Sequence, residues 1–73
     1  MAIVAAEQVR AEVDRLPREQ REAIELAYFG GRTYRQVAAE LGIPEGTAKS
    51  RMRLGLSRIA QALEAQGADL AWT

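Results

Sequence analysis

The chain has 73 residues, with ten lysines and arginines, ten aspartates and glutamates, and no cysteine or histidine. This composition predicts one small domain and excludes a disulfide framework, a cysteine- or histidine-based metal site and a histidine general base. The acids are scattered rather than gathered in a calcium-type loop, and two serines without histidine offer no nucleophile system. We therefore expect a protein that is not an enzyme and uses no metal or cofactor.

No apolar run approaches the length of a membrane span. Acidic and basic residues follow the first apolar residues too soon for a signal peptide. We expect a cytoplasmic protein without a membrane partner.

Charge is unevenly distributed along the chain. Residues 1–31 carry four bases and six acids, for a net charge of −2, whereas residues 32–58 carry six bases and two acids, for a net charge of +4. Residues 59–73 carry only two acids. The middle of the chain therefore predicts a local surface that faces an anion.

The apolar spacing predicts helices in the first half of the chain, over about 4–15 and 17–29. Pro17 suits the start of the second helix, and Gly30-Gly31 ends it. The apolar face predicted for this second helix is formed by Ala23, Ile24, Ala27 and Tyr28.

The second half predicts a short helix over about 33–41, a longer helix over about 44–66 and a tail over 67–73. Thr33 can cap the short helix with its hydroxyl, and Gly42-Ile43-Pro44 forms a tight turn. Ala48 and Met52 are expected to face inward on the long basic helix. The predicted fold is an all-α, four-helix domain that contains a helix-turn-helix.

Three sequence blocks resemble region four of bacterial extracytoplasmic-function sigma factors. They are the LP-x-x-x-R-x-A stretch over 16–23, the Tyr-x-x-Val-Ala pattern over 34–38 and LGIPEGTAKSR over 41–51. The resemblance spans about residues 16–60. It implies recognition of the −35 promoter element in the major groove, docking onto the β-subunit flap of RNA polymerase, and an anti-sigma factor that masks the domain. The family's other main domain is missing from this sequence, which implies an isolated C-terminal domain, expected to be monomeric.

The candidate DNA-contacting residues lie at the start of the third helix and in the first turns of the fourth. They are Arg32, Thr33, Tyr34, Arg35, Glu45, Gly46, Thr47, Lys49, Ser50, Arg51 and Arg53. Basic side chains suit guanine edges or phosphates, a serine hydroxyl suits either, and a glutamate can accept from a cytosine amine. The sequence does not decide which contacts go to bases.

Structural interpretations of these residues stay open. The series Glu45, Lys49 and Arg53 could form solvated pairs four residues apart, Thr33 could serve only as a cap, and Tyr34 could pack against the core. Leu54 is expected to be exposed. Among Val4, Val9 and Leu26 we expect exposed apolar residues that face polymerase, and the role of Trp72 is open.

Two other functions compete with promoter recognition. A response-regulator DNA-binding module would dimerise through its last helix and bind inverted half-sites. A purely protein-binding helical module fits the zero net charge and would show no salt-dependent DNA binding.

Overall fold

The computed structural model describes residues 6–67, which form four α-helices and, within that range, no strand. The helices and their bounds are α1 Ala6–Asp14, α2 Arg18–Ile24, α3 Tyr34–Leu41 and α4 Glu45–Ala65. The all-helical prediction is confirmed. The predicted helix start at 4–5 with Val4, and the tail at 68–73 with Trp72, lie outside the described residues. Between 6 and 67, no helix combines the length and apolar character needed to cross a bilayer.

The predicted helix over 17–29 changes character near its end. Residues Glu25–Phe29 form a π-helical segment, in which the N–H of Gly30 donates to the carbonyl of Glu25 at 2.9 Å. A Cβ on Gly30 would lie 2.7 Å from the carbonyl oxygen of Leu26, so a residue without a side chain lets the chain close here. The wider turn moves Tyr28 away from the core. Its predicted inward position is wrong, because 57% of its surface is exposed.

The core is built around α4, which packs against the other three helices. One cluster of buried side chains joins α1, the α1–α2 turn, α2 and the C-terminal half of α4, and consists of Val13, Leu16, Ile24, Ile59 and Leu63. The other joins α2, α3 and the start of α4, and consists of Ala23, Val37, Ala38 and Ala48. Met52 packs against both clusters. The inward prediction for Ala48 and Met52 is thus confirmed, with Ala48 fully buried and Met52 partly so.

A close approach between α4 and α2 depends on Gly55. An added Cβ there would stand 2.8 Å from Cγ1 of Ile24. The glycine lies buried inside a long helix, where it has a conformational cost. Its small size therefore serves packing.

The turn between α3 and α4 is a Schellman motif. Gly42 adopts φ 66°, its N–H donates to the carbonyl of Ala39, and the N–H of Ile43 donates to the carbonyl of Ala38. Ile43 is half-buried and packs against the second cluster. Pro44 then stands immediately before α4. This turn fixes the crossing of α3 and α4.

A buried carboxylate attaches α1 to the far end of α4. Glu12 is 6% exposed, pairs with the guanidinium of Arg15 at 3.0 Å, and accepts a hydrogen bond from the side-chain amide of Gln66. The contact spans most of the chain. It holds the C-terminal end of α4 while the turn after α3 holds its beginning.

Candidate nucleic-acid interface

Two contacts join the first turn of α3 to the first turns of α4. The ammonium of Lys49 lies 5.4 Å from the centre of the Tyr34 ring, and Nε of Arg35 lies 3.5 Å from Oε1 of Glu45. These contacts bring together four of the sequence-predicted residues. The two helix beginnings therefore form one continuous polar surface.

Thr33 caps α3, as predicted. Its hydroxyl oxygen accepts from the N–H of Gln36 at 3.2 Å, and the side-chain oxygen of Gln36 accepts from the N–H of Thr33 at 2.9 Å. In this capping box, each residue's side-chain oxygen accepts a hydrogen bond from the other residue's backbone N–H. The Thr33 hydroxyl hydrogen stays available to an outside acceptor, because a hydroxyl can donate and accept at once.

Tyr34 is half-buried and has two cations over its ring. Besides Lys49, the guanidinium carbon of Arg35 lies 5.9 Å from the ring centre. The Tyr34 side chain, and after it the Glu45 carboxylate, raise the pKa of Arg35 above its ordinary value. Arg35, like any arginine, is charged at every pH of biological interest. Its pairing with Glu45 offsets the charge of that carboxylate at this surface.

The outer side of α4 carries Lys49, Ser50 and Arg53, all exposed. At about 100° per residue, Lys49 and Arg53 lie about 40° apart and Ser50 about 60° beyond Arg53. All three lie about 100–160° around the helix from buried Ala48. Neither Lys49 nor Arg53 forms an ion pair with any described residue. With no acid paired to them, the charges of Lys49 and Arg53 can meet an anionic partner from outside the chain.

Arg51 does not share that face. At about 100° per residue it lies about 160° from Arg53, and it is half-buried. It falls in line with exposed Arg58, two turns later. Neither arginine pairs with a described acid. The two cationic flanks of α4 are therefore Lys49 with Arg53 on one side and Arg51 with Arg58 on the other.

Gly46 and Thr47 complete the first turn of α4. A Cβ on Gly46 would meet nothing within 4 Å, so this part of the helix presents bare backbone to its surroundings. Thr47 is half-buried. The helix start has no side-chain cap, which leaves its first N–H groups for an outside acceptor.

Arg32 is held within the protein more firmly than its neighbours. Its guanidinium pairs with Glu40 at 3.3 Å and donates to the carbonyl of Gly30 at 2.7 Å. It thereby secures the loop before α3.

Glu45, Lys49 and Arg53 do not form the solvated pairs four residues apart that the sequence allowed. Glu45 pairs across the turn with Arg35, and neither Lys49 nor Arg53 pairs with an acid four residues away in the described structure. This cross-helix pairing was not predicted from the sequence, because its partners are ten residues apart on different helices. Arg58, seven residues after Arg51, was not among the predicted site residues, and the structure places it on the same flank of α4 as Arg51.

A second surface lies between α1 and the π-helical segment. Phe29 is 54% exposed and lines a groove with apolar and charged side chains of α1. The guanidinium of Arg10 lies 5.0 Å from the centre of its ring and pairs with Glu25 at 2.9 Å. Val9 and Leu26, predicted to be among the exposed apolar residues, are half-buried and pack against the core clusters. Phe29 is the large apolar side chain that lines this groove, and Tyr28, its neighbour in the π-helical segment, is also exposed.

On α4, Leu54 is exposed, as predicted, and Leu56 is also exposed.

Residues 6–63 match the family model described as sigma-70, region 4. The chain is 55% identical over 49 residues to the ECF RNA polymerase sigma factor RpoE of Cereibacter sphaeroides, covering 67% of this chain and 27% of that protein. It is 40% identical over 63 residues to the ECF RNA polymerase sigma factor EcfG of Rhodopseudomonas palustris, covering 86% of this chain and 35% of that protein. It is 39% identical over 56 residues to the RNA polymerase sigma factor SigZ of Bacillus subtilis, covering 77% of this chain and 32% of that protein. The matched region spans only about a third of these relatives or less.

Proposed function

The chain belongs to the sigma-70 region 4 family, and from that membership we propose that α3 and α4 bind the −35 element of a promoter. Region 4 is the part of ECF sigma factors that binds this element, and it is not an enzyme. The family assignment favours the sigma interpretation over a response-regulator module.

One observation supports the proposal above the others. Lys49, Ser50 and Arg53 lie exposed and without internal ionic partners on the outer side of α4, away from the buried Ala48. A helix of this kind fits the major groove, where side chains of its first turns reach base edges. Arginine suits O6 and N7 of guanine, and serine suits a base edge or a phosphate.

The flanking residues are suited to the sugar–phosphate backbone. Thr33 keeps a hydroxyl hydrogen to donate, Arg35 keeps a permanent charge, and Arg51 lies on the opposite flank of α4 from Arg53. Cations on two sides of a helix in a groove can meet the two strands that border it. In this proposal, Glu45 exchanges its pairing with Arg35 for a cytosine amine when α4 enters the groove.

The predicted affinity is weak. A single small module buries about 600–1,000 Å² on DNA. With about three to five phosphate contacts, the slope of log affinity against log salt should be about −3 to −4.5. Because the net charge is zero, the chain as a whole does not attract polyanions, and the attraction to DNA comes from the local basic surface.

The test compares two duplexes, one promoter-like and one scrambled, by fluorescence anisotropy. We expect tighter binding to the promoter-like duplex, and a larger preference when the polymerase flap is present. Equal and salt-independent binding to both duplexes would contradict the proposal and favour a purely protein-binding module.

The partner surfaces are part of the same proposal. The groove between α1 and the π-helical segment, with Phe29 exposed beside Arg10, offers an apolar and partly charged seat for the β-subunit flap. An anti-sigma factor that covered both this groove and α4 would switch the domain off. In this proposal, the region 4 chain itself acts as a monomer in the cytoplasm, where promoter and polymerase are found.

A further inference from the structure

Tyr34 lies between the two halves of the interface. It is half-buried at the first position of α3, and Lys49 of α4 lies over its ring at 5.4 Å. An aromatic face attracts an ammonium electrostatically. The contact therefore places the Lys49 ammonium beside the beginning of α3.

Two features near the ring suit a phosphate. The Thr33 hydroxyl can still donate, and Arg35 presents a second cation over the same ring. Lysine is a compact point charge that suits a phosphate better than the paired acceptors of a base. Among the described residues, no aromatic ring holds Arg53 or Ser50 in this way.

We propose that Tyr34 is a positioning residue that holds Lys49 for a phosphate beside the start of α3 and so leaves base contacts to Ser50 and Arg53. The inference rests on the proposed DNA-binding function and deepens it, because it divides the exposed residues of α4 by role. The phenol hydroxyl has no part in this role. The competing interpretation is that this hydroxyl itself donates to a phosphate.

The experiment uses two replacements of Tyr34 in the full chain, each with native Lys49 and with Lys49→Ala. Tyr34→Phe keeps the ring and should bind DNA like the native chain. Tyr34→Leu keeps an apolar side chain without the ring and should weaken binding by about two- to fivefold. The loss should be equal on promoter-like and scrambled duplexes, because a phosphate contact carries no sequence information. In the Lys49→Ala chain, Tyr34→Leu should cause no further loss.

A measurement on the free protein separates the possible failures. NMR should show the side-chain protons of Lys49 shifted upfield by the ring in the native chain and in Tyr34→Phe, but not in Tyr34→Leu. Circular dichroism checks that each variant keeps its helices. If Tyr34→Phe binds as weakly as Tyr34→Leu, or if Tyr34→Leu also weakens the Lys49→Ala chain, the positioning role is wrong. If the native chain shows the NMR shift yet binds neither duplex, the proposed function fails, and the positioning role fails with it even though the Tyr34–Lys49 contact exists.

Discussion

Replacing Gly55 by alanine tests the packing that carries the candidate interface. The new methyl group would stand 2.8 Å from Cγ1 and 3.2 Å from Cδ1 of Ile24, and 3.5 Å from Cδ1 of Leu16. Ile24 is only 2% exposed and is β-branched, so it has little room to turn away. Either α2 or α4 must therefore shift.

Two opposing effects set the magnitude. Alanine inside a helix gains about 1 kcal/mol over glycine. Overfilling a packed core costs about 1–3 kcal/mol. We expect Gly55→Ala to lower the free energy of unfolding by about 1 kcal/mol, which in a domain of this size lowers Tm by about 4–8 °C.

Gly46→Ala is the matched control, because it makes the same change in the same helix. A Cβ on Gly46 meets nothing within 4 Å, so this variant should keep or slightly raise the stability. Urea and thermal unfolding followed by circular dichroism measure both. Equal stabilisation by the two substitutions would refute the close approach of α2 to α4.

Three further predictions follow from other surfaces of the molecule. Gly46→Ala should weaken duplex binding in a fluorescence-anisotropy titration while the helices stay intact, because its methyl group occupies open space where the DNA backbone would approach. Unchanged affinity would show that the DNA backbone does not approach Gly46. Glu12→Ala should lower the free energy of unfolding in urea by about 1–3 kcal/mol, since Arg15 and Gln66 lose their shared acceptor, and a neutral result would contradict this clamp. Phe29→Ser should weaken binding to the isolated flap in a calorimetric titration and leave DNA affinity unchanged; the reverse pattern would place the groove on the DNA side.

The sequence predicted the helices and the turn between α3 and α4 because local chemistry determines them. Glycine supplies the positive φ of Gly42, the threonine hydroxyl caps α3, and apolar spacing directs Ala48 inward. Each signal lies within one turn of the structure it specifies. Those parts of the fold agree with the prediction.

The sequence did not predict the π-helical segment or the contacts between different helices. The apolar periodicity of α2 does not predict the π-helical segment, in which the N–H of Gly30 donates to the carbonyl of Glu25. The pairing of Arg35 with Glu45 and the contact of Lys49 with Tyr34 depend on the crossing of α3 and α4. The sequence could thus name the residues of the candidate interface, but it could not divide them into paired and free groups.

The most direct test of the central claim compares Arg53→Ala with Arg58→Ala on promoter-like and scrambled duplexes. Both arginines are exposed on α4 and pair with no described acid, but they lie on different flanks, and Arg58 borders a cleft with Glu12 and Leu16. We expect Arg53→Ala to reduce the preference for the promoter-like duplex by about 1–3 kcal/mol, and Arg58→Ala to leave that preference unchanged. Equal effects of the two substitutions would show that α4 attracts DNA by charge alone and does not recognise its sequence.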